Sequence, residues 1–191
     1  MDILNHRLVD GKAIHLTCPK NTRPLSNPDS IVLHYTAGTN GLSSAHYLIR
    51  PDVPASSHLV IDRSGEIIQL VPFNTEAWHA GKSFHHGKSN LNHCSIGIEL
   101  DNLGKLHKDG KKFIAECGKE VLPSNVFVDE EHGQATFWHA YTNEQLHSVA
   151  FVCLLLMKHY PIRYLLRHSE ITSRKIDPGP AFPQEILELN Q

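Results

Sequence analysis

Apolar positions gather into short runs along the chain, and two of these runs predict buried strands. Residues 30–35 are mostly β-branched or apolar, as expected for a strand that is buried on both faces. Residues 95–100 alternate instead, which puts two isoleucines and a leucine on one face and Gly97 and Glu99 on the other. A glutamate opposite an apolar face points either to solvent or into a site.

A second set of patterns predicts a hairpin and a packed helix. Residues 56–62 and 66–71 read as two strands around a glycine-containing turn. Thr142 and Gln145 have the spacing of a capping box, and apolar residues then recur at helical spacing as far as Met157. Strands followed by a packed helix predict an α/β fold with a central mixed β-sheet flanked by helices.

Weaker patterns predict the remaining elements. Residues 41–49 and the segment from Gln184 have the composition of short helices, and residues 162–166 form a short apolar strand or turn that leads to His168. The apolar phase of the long helix predicts the following inward residues: Leu146, Val149, Ala150, Cys153, Leu154 and Met157.

Two polar segments flank or interrupt these elements. Residues 1–29 contain three prolines and predict an extended lead-in. Residues 101–140 are polar and irregular, and a connection of this length in a compact domain is functional or mobile. We therefore expect a single domain over residues 1–191, with an N-terminal lead-in at 1–29 and an insertion loop around 101–140.

Composition limits the possible functions. The chain has 191 residues, 40% of them hydrophobic, and a formal net charge of -2, which allows one core but gives no electrostatic case for nucleic acid or an anionic membrane. The longest apolar run, residues 149–157, is too short for a transmembrane segment. The N-terminus lacks the features of a secretory signal, so we expect a cytoplasmic location if the chain is the full product.

The spacing of the cysteines argues against thiolate chemistry, and the number of histidines draws attention to imidazole ligands. None of the four cysteines forms a C-x-x-C pair, so thiolate zinc sites and dithiol redox chemistry are not expected. Fifteen histidines are an unusually large number for this length. Catalytic zinc uses three nitrogen or carboxylate ligands and leaves a fourth position open. His168 and Asp177 on a loop, with His34 at the end of a buried strand, are candidates, although a core or surface imidazole is the alternative for each histidine.

Four segments in order carry a resemblance to a known family. They are Ile31-Val-Leu-His-Tyr-Thr-Ala-Gly38, Trp78-His-Ala-Gly81, Ser95-Ile-Gly-Ile-Glu-Leu100 and His168-Ser-Glu-Ile…Arg174-Lys-Ile-Asp-Pro-Gly-Pro180. Together they resemble the zinc-dependent N-acetylmuramoyl-L-alanine amidases, the family of peptidoglycan-recycling amidases, several phage endolysins and peptidoglycan recognition proteins. The chain looks nearest to the recycling type. The resemblance implies the amidase-like fold of that family and hydrolysis of the amide between N-acetylmuramic acid, or its anhydro form, and L-alanine of the stem peptide.

The same resemblance implies roles for individual residues. It makes His34, His168 and Asp177 the ligands of one Zn²⁺ per chain, a metal that activates water. Glu99 matches the catalytic glutamate that moves the proton, with an exposed strand glutamate as the alternative. Lys175 matches a lysine that stabilises the oxyanion, with a solvated loop lysine as the alternative.

The predictions also cover substrate-binding residues, partners and alternative functions. Tyr35, His58, Trp78 and His79 are the predicted substrate-binding residues, with a structural role as the alternative for Trp78. The predicted partners are peptidoglycan or muropeptide fragments; the oligomeric state stays open. A non-catalytic muropeptide-binding module and a zinc peptidase that cuts within the stem peptide are the alternatives. An enzyme that reaches the cell wall by phage lysis or specialised secretion is the alternative to a cytoplasmic one.

Overall fold

The fold is organised around a mixed β-sheet of six strands. The computed structural model describes residues 1–130 and 133–189. Within these ranges the strands are β1 (Asp2–Leu4), β2 (Arg7–Val9), β3 (Ile14–His15), β4 (Ser30–Tyr35), β5 (Leu59–Ile61), β6 (Ile67–Gln69), β7 (Phe84–His85), β8 (Lys88–Ser89), β9 (Ser95–Leu100), β10 (Lys105–Asp109), β11 (Lys112–Ala115), β12 (Glu120–Val121), β13 (Val126–Asp129), β14 (Thr136–His139) and β15 (Tyr164–Arg167). The helices are α1 (Gly41–Leu48), α2 (Asn143–His159), α3 (His168–Ile171) and α4 (Gln184–Leu187), with 3-10 turns at Leu91–His93 and Pro123–Asn125.

The central sheet has the strand order β15-β4-β9-β5-β6-β3. Strands β15, β4, β9 and β5 run parallel, whereas β5 and β6 are antiparallel. The predicted mixed sheet is confirmed, and β4 and β9 have the predicted bounds. Parallel strands end at a common edge, where α/β folds place their sites. In this register His34 is paired with Glu99 at that edge.

Helix α2 covers one face of the central sheet. Thr142 caps it by accepting a hydrogen bond from the Gln145 backbone N–H at 3.2 Å. Its buried residues pack with the inward residues of β4 and β9 in one apolar core. The prediction that Leu154 faces inward is wrong, because its side chain is 50% exposed, whereas Val152 and Leu156 are buried. The helix is apolar over most of its surface, so composition left its buried side ambiguous.

The first 29 residues form more than an extended lead-in. Strands β1 and β2 make an antiparallel hairpin, and β3 adds an edge strand to the central sheet by pairing with β6. The prediction of an extended lead-in is therefore wrong, because this segment forms three paired strands. These strands have two or three residues each, which is too short for a periodic signal.

The prediction of a loop over residues 101–140 is also wrong. This segment forms an antiparallel sheet of five strands, in the order β12-β11-β10-β14-β13, which we call the second sheet. Strand β10 has four exposed polar or charged residues around one buried leucine, and the other four strands have only two to four residues each, so no periodic apolar pattern revealed the sheet. Residues 131 and 132 of the predicted loop, and residues 190 and 191 of the predicted domain, lie outside the described residues.

The apolar contacts of the second sheet form a small core of their own. The buried residues are Leu103, Leu106, Ala115 and Val121, with Phe113, Val126 and Phe137 packed against them. Of the four cysteines, Cys18, Cys94 and Cys153 are buried, Cys117 is exposed, and all are free thiols. No helix in the described part of the chain is long and apolar enough to span a bilayer.

Candidate active site

The three predicted metal ligands meet at the edge where the parallel strands end. His34 Nδ1 lies 2.9 Å from His168 Nδ1 and 3.0 Å from Asp177 Oδ2. His168 Nδ1 lies 2.9 Å from the same Asp177 oxygen. All three residues are buried. The structure thus brings the His34 imidazole to His168 and Asp177, which lie 134 and 143 residues further along the chain.

Strand pairing explains how these residues meet. His34 is the penultimate residue of β4, and β15 runs parallel beside β4. His168 follows the last residue of β15 and begins α3, so its side chain enters at the same edge. Asp177 lies on the following loop, where its carbonyl accepts a hydrogen bond from the Ser169 backbone N–H at 3.1 Å. That bond ties the loop to the turn that carries His168.

The geometry and charges of this cluster fit a zinc ion. Ligands about 2.0–2.1 Å from a tetrahedral metal stand roughly 3.3 Å apart, close to the distances observed. Burial lowers the pKa of His34 despite its hydrogen bond to Asp177, which favours the neutral imidazole that binds metals. Burial opposes ionisation of Asp177, but hydrogen bonds to His168 and His34 hold the pKa of its carboxyl well below the usual range.

Four buried imidazoles form a row that begins within the ligand cluster and leads away from it: His168, His34, His79 and His58. Neighbouring ring centroids are 4.4, 5.2 and 5.9 Å apart. We call this set the histidine row. Its members differ in the atoms that their ring nitrogens contact, and those partners separate their roles.

His79 supports His34 from behind. His34 Nε2 lies 3.1 Å from His79 Nδ1, and His79 Nε2 lies 3.2 Å from Ser95 Oγ. The Ser95 hydroxyl donates to the Leu91 carbonyl, so it accepts from His79. In this network His34 Nε2–H donates to His79, which leaves the Nδ1 lone pair of His34 for a metal.

The position of His79 depends on a glycine in β9. A Cβ atom at Gly97 would lie 2.4 Å from the His79 ring, so only glycine leaves room for the imidazole there. Gly97 belongs to the face of β9 that also carries Glu99, opposite the packed isoleucines. The predicted alternation of β9 therefore has a structural reason: one face packs on the core and the other accommodates the site.

His58 is not brought to the cleft. It is 0% exposed, its Nε2 lies 2.9 Å from the Thr75 carbonyl, and its Nδ1 accepts from the Gly97 backbone N–H at 3.0 Å. Burial lowers the pKa of His58 to about 4. Both nitrogens are occupied by backbone groups and His58 does not line the cleft, so the structure does not support the prediction that His58 contacts substrate.

Glu99 and Lys175 stand beside the ligand cluster. The Glu99 Oε2 atom is buried and has no hydrogen-bond partner among the described residues. Burial raises the pKa of Glu99 to about 8, repulsion from Asp177 adds to the rise, and Lys175 opposes it. An acid of this kind is suited to exchanging a proton near neutral pH. Lys175 is exposed and lines the same cleft.

The cleft over the ligand cluster has a volume of about 670 Å³. Tyr35, Trp78 and His79, which were predicted to bind substrate, line this cleft, and Trp78 is 38% exposed. Sequence patterns did not single out three other lining residues, because no motif marks them: Ser43, Tyr47 and Cys117. The first two lie on α1 and Cys117 lies on the second sheet, so only the folded chain assembles this lining.

Comparison with known proteins agrees with this fold and identifies a family. An α/β domain with a buried His-His-Asp cluster beneath a cleft matches, over residues 24–180, the family described as N-acetylmuramoyl-L-alanine amidase. The match spans most of the chain, so the protein belongs to this family.

Curated relatives and solved structures support that membership. The 1,6-anhydro-N-acetylmuramyl-L-alanine amidase AmpD of Salmonella typhimurium is 36% identical over 130 residues, which cover 66% of this chain and 52% of the relative. The N-acetylmuramoyl-L-alanine amidase AmiD of Escherichia coli is 31% identical over 167 residues, 82% of this chain and 51% of AmiD. The chain thus spans about half the length of these curated relatives.

Two solved structures share the fold. A crystal structure of a selenomethionine AmpD derivative is similar with a TM-score of 0.66 and 26% identity, covering 100% of both chains. The complex of E. coli AmiD with anhydro-N-acetylmuramic acid-L-Ala-D-γ-Glu-L-Lys is similar with a TM-score of 0.64 and 28% identity, covering 88% of this chain and 58% of AmiD.

Proposed function

We propose that this chain is a zinc-dependent amidase that hydrolyses the amide between N-acetylmuramic acid, or its anhydro form, and L-alanine of a stem peptide. The observation that carries the proposal is the triangle of donor atoms from His34, His168 and Asp177 beneath a cleft that also contains Glu99. A bound Zn²⁺ would supply Lewis acidity and lower the pKa of a water molecule.

The remaining chemistry belongs to side chains of this protein. Glu99 accepts a proton from the attacking water and passes it to the leaving amine, because it lines the cleft and its buried Oε2 has no hydrogen-bond partner among the described residues. Lys175 places a positive charge at the cleft, where it stabilises the negative charge that develops on the carbonyl oxygen. His79 holds His34 in the orientation that the ligand cluster needs.

The relatives support the choice of substrate. AmpD is named as a 1,6-anhydro-N-acetylmuramyl-L-alanine amidase, and AmiD has been solved with an anhydro-muropeptide. We therefore propose soluble anhydro-muropeptides as the substrates of this chain, with peptidoglycan fragments as its partners. Action in the cytoplasm, where such fragments would be recycled, is part of the same proposal.

Product analysis tests the proposed function. The zinc-loaded chain is incubated with anhydro-N-acetylmuramic acid-L-Ala-D-γ-Glu-L-Lys, and the products are identified by mass spectrometry. We expect anhydro-N-acetylmuramic acid and a tripeptide that begins with L-alanine, and we expect a chelator to stop the reaction. Cleavage between amino acids of the peptide would instead indicate a zinc peptidase. Binding without cleavage by the zinc-loaded chain would indicate a recognition module.

A further inference from the structure

The second sheet reaches the cleft through one turn. Residues 116–119 connect β11 to β12, and Cys117, in the turn at residues 116–118, lines the cleft together with Tyr35 and Lys175. The Cys117 side chain is exposed. The proposed chemistry gives this turn no role, although it stands on the same cavity as the ligand cluster.

The turn is held by a packed structure. The strands on either side of the turn contribute Ala115 and Val121 to the apolar core of the second sheet. The rings of Phe113 and Phe137 pack against the same core, with centroids 5.1 Å apart. A turn between two packed strands keeps its position far better than an unsupported loop of the same length. The turn therefore acts as a fixed boundary of the cleft.

Two close contacts attach the second sheet to the site. A Cβ atom at Gly104, just before β10, would lie 2.4 Å from the Tyr35 ring. A Cβ atom at Gly179 would lie 2.6 Å from the ring of Trp138 in β14, and Gly179 is two residues beyond Asp177. The second sheet is thus in contact with both the end of β4 and the loop that carries a ligand.

We infer that the turn at residues 116–118 is a wall of the substrate cleft that contacts the bound muropeptide beside Cys117 and limits the size of the group accepted there. This inference rests on the proposed function and names the substrate class as soluble muropeptides. The cleft volume of about 670 Å³ falls within the roughly 300–1,000 Å³ of small-molecule sites. A short muropeptide fragment fits within such a volume.

Protection of the Cys117 thiol tests the contact. The other three cysteines are buried, so iodoacetamide reports on one position. The zinc-loaded Glu99→Gln variant, used to slow turnover, is alkylated with and without anhydro-N-acetylmuramic acid-L-Ala-D-γ-Glu-L-Lys, and binding is measured by calorimetry on the same sample. We expect the bound muropeptide to slow alkylation of Cys117 several-fold.

A matched control moves the thiol to the other end of β11. Lys111 lies in the exposed turn between β10 and β11, so the double variant Cys117→Ser, Lys111→Cys carries one exposed thiol away from the cleft. Its alkylation rate should not respond to the muropeptide. An unchanged rate at Cys117 while calorimetry shows binding would overturn the inference and leave the proposed function standing. No binding would overturn the proposed function and, with it, the inference.

A size test completes the experiment. Cys117→Trp adds bulk to the wall, and we expect KM for the anhydro-muropeptide to rise roughly tenfold with kcat little changed, because the ligand cluster and Glu99 are untouched. Lys111→Trp should change neither constant. An unaltered KM in a folded Cys117→Trp variant would contradict the inference. If that variant does not fold, the alkylation measurement still decides whether the muropeptide contacts the turn.

Discussion

The two ends of the histidine row are alike in residue type and burial but differ in the atoms they contact. At the cleft end, His34 and His168 both direct Nδ1 toward the Asp177 carboxylate. At the core end, His58 gives one nitrogen to a backbone carbonyl and receives a backbone N–H at the other. Burial of a histidine is therefore no evidence of metal binding. The partner atoms decide, and variants along the row should have graded effects.

The largest effect is expected at the cleft end. Asp177→Ala removes the one carboxylate that both imidazoles share, so we expect zinc and activity to be lost together. Metal analysis after dialysis and hydrolysis of the anhydro-muropeptide measure both. His58→Gln is the matched control at the core end and should retain one zinc per chain. A zinc-loaded, active Asp177→Ala protein would refute the ligand assignment.

The next largest effect is expected beside the row. Glu99→Gln keeps the shape of the side chain but cannot accept a proton, so kcat should fall by about 10²–10⁴. The zinc content should be unchanged, because Glu99 is not one of the three clustered donor residues. If turnover stayed at the wild-type value with zinc bound, proton transfer would have to be assigned to another group.

A smaller effect is expected in the middle of the row. His79→Phe keeps a ring against Gly97 but removes the acceptor for His34 Nε2–H, and loss of such a supporting contact weakens metal binding by about 10–100-fold. Competition with a chelator measures the affinity. Trp78→Phe, on the neighbouring cleft residue, should leave zinc affinity unchanged. Equal affinities for wild type and His79→Phe would remove His79 from the support of the site.

At the core end we expect the effect on stability and on its pH dependence, and none on metal binding. The pKa of His58 is lowered by burial to about 4 from 6.5, so between these values the unfolded chain binds more protons than the folded one. Stability should therefore fall as pH drops from 6.5 toward 4, by up to about 1.4 kcal/mol per pH unit for this group.

Thermal unfolding of His58→Gln measures that contribution. The variant should be less stable at pH 7.5, because a backbone partner is lost, but its Tm should change less between pH 7 and pH 5 than that of the wild type. Parallel curves for the two proteins would show that another group accounts for the loss of stability in acid.

Long apolar runs and their alternation were sufficient for the elements that carry the site. Strands β4 and β9 occur at the predicted residues, since six consecutive residues with a clear pattern leave little ambiguity. The predicted ligand set came from the resemblance to the amidases rather than from spacing, because fifteen histidines allow many His–Asp combinations. The three predicted ligands nevertheless lie together. Because β15 pairs in parallel with β4, the C-terminal ends of these two strands are neighbours.

The second sheet shows where sequence patterns stop being informative. Its strands are short, and one face is exposed and charged, so its few apolar residues look like a loop until they are paired. The same limit applies to Cys117, which no motif marks and which reaches the cleft only through the pairing of β11 and β12. Non-local pairing, rather than local propensity, creates both features.

By itself, the sequence determined the class of fold, the two central strands and, through its family motifs, the residues expected to act in the site. It could do so because these properties depend on local patterns of side chains. Only the tertiary structure decided which buried histidines face Asp177 and which face the backbone, and that a polar segment builds a sheet beside the cleft. Those outcomes depend on contacts between residues that are separated along the chain, by 134 and 143 positions in the case of His34 with His168 and Asp177, and such contacts form only when the strands pair and the core closes.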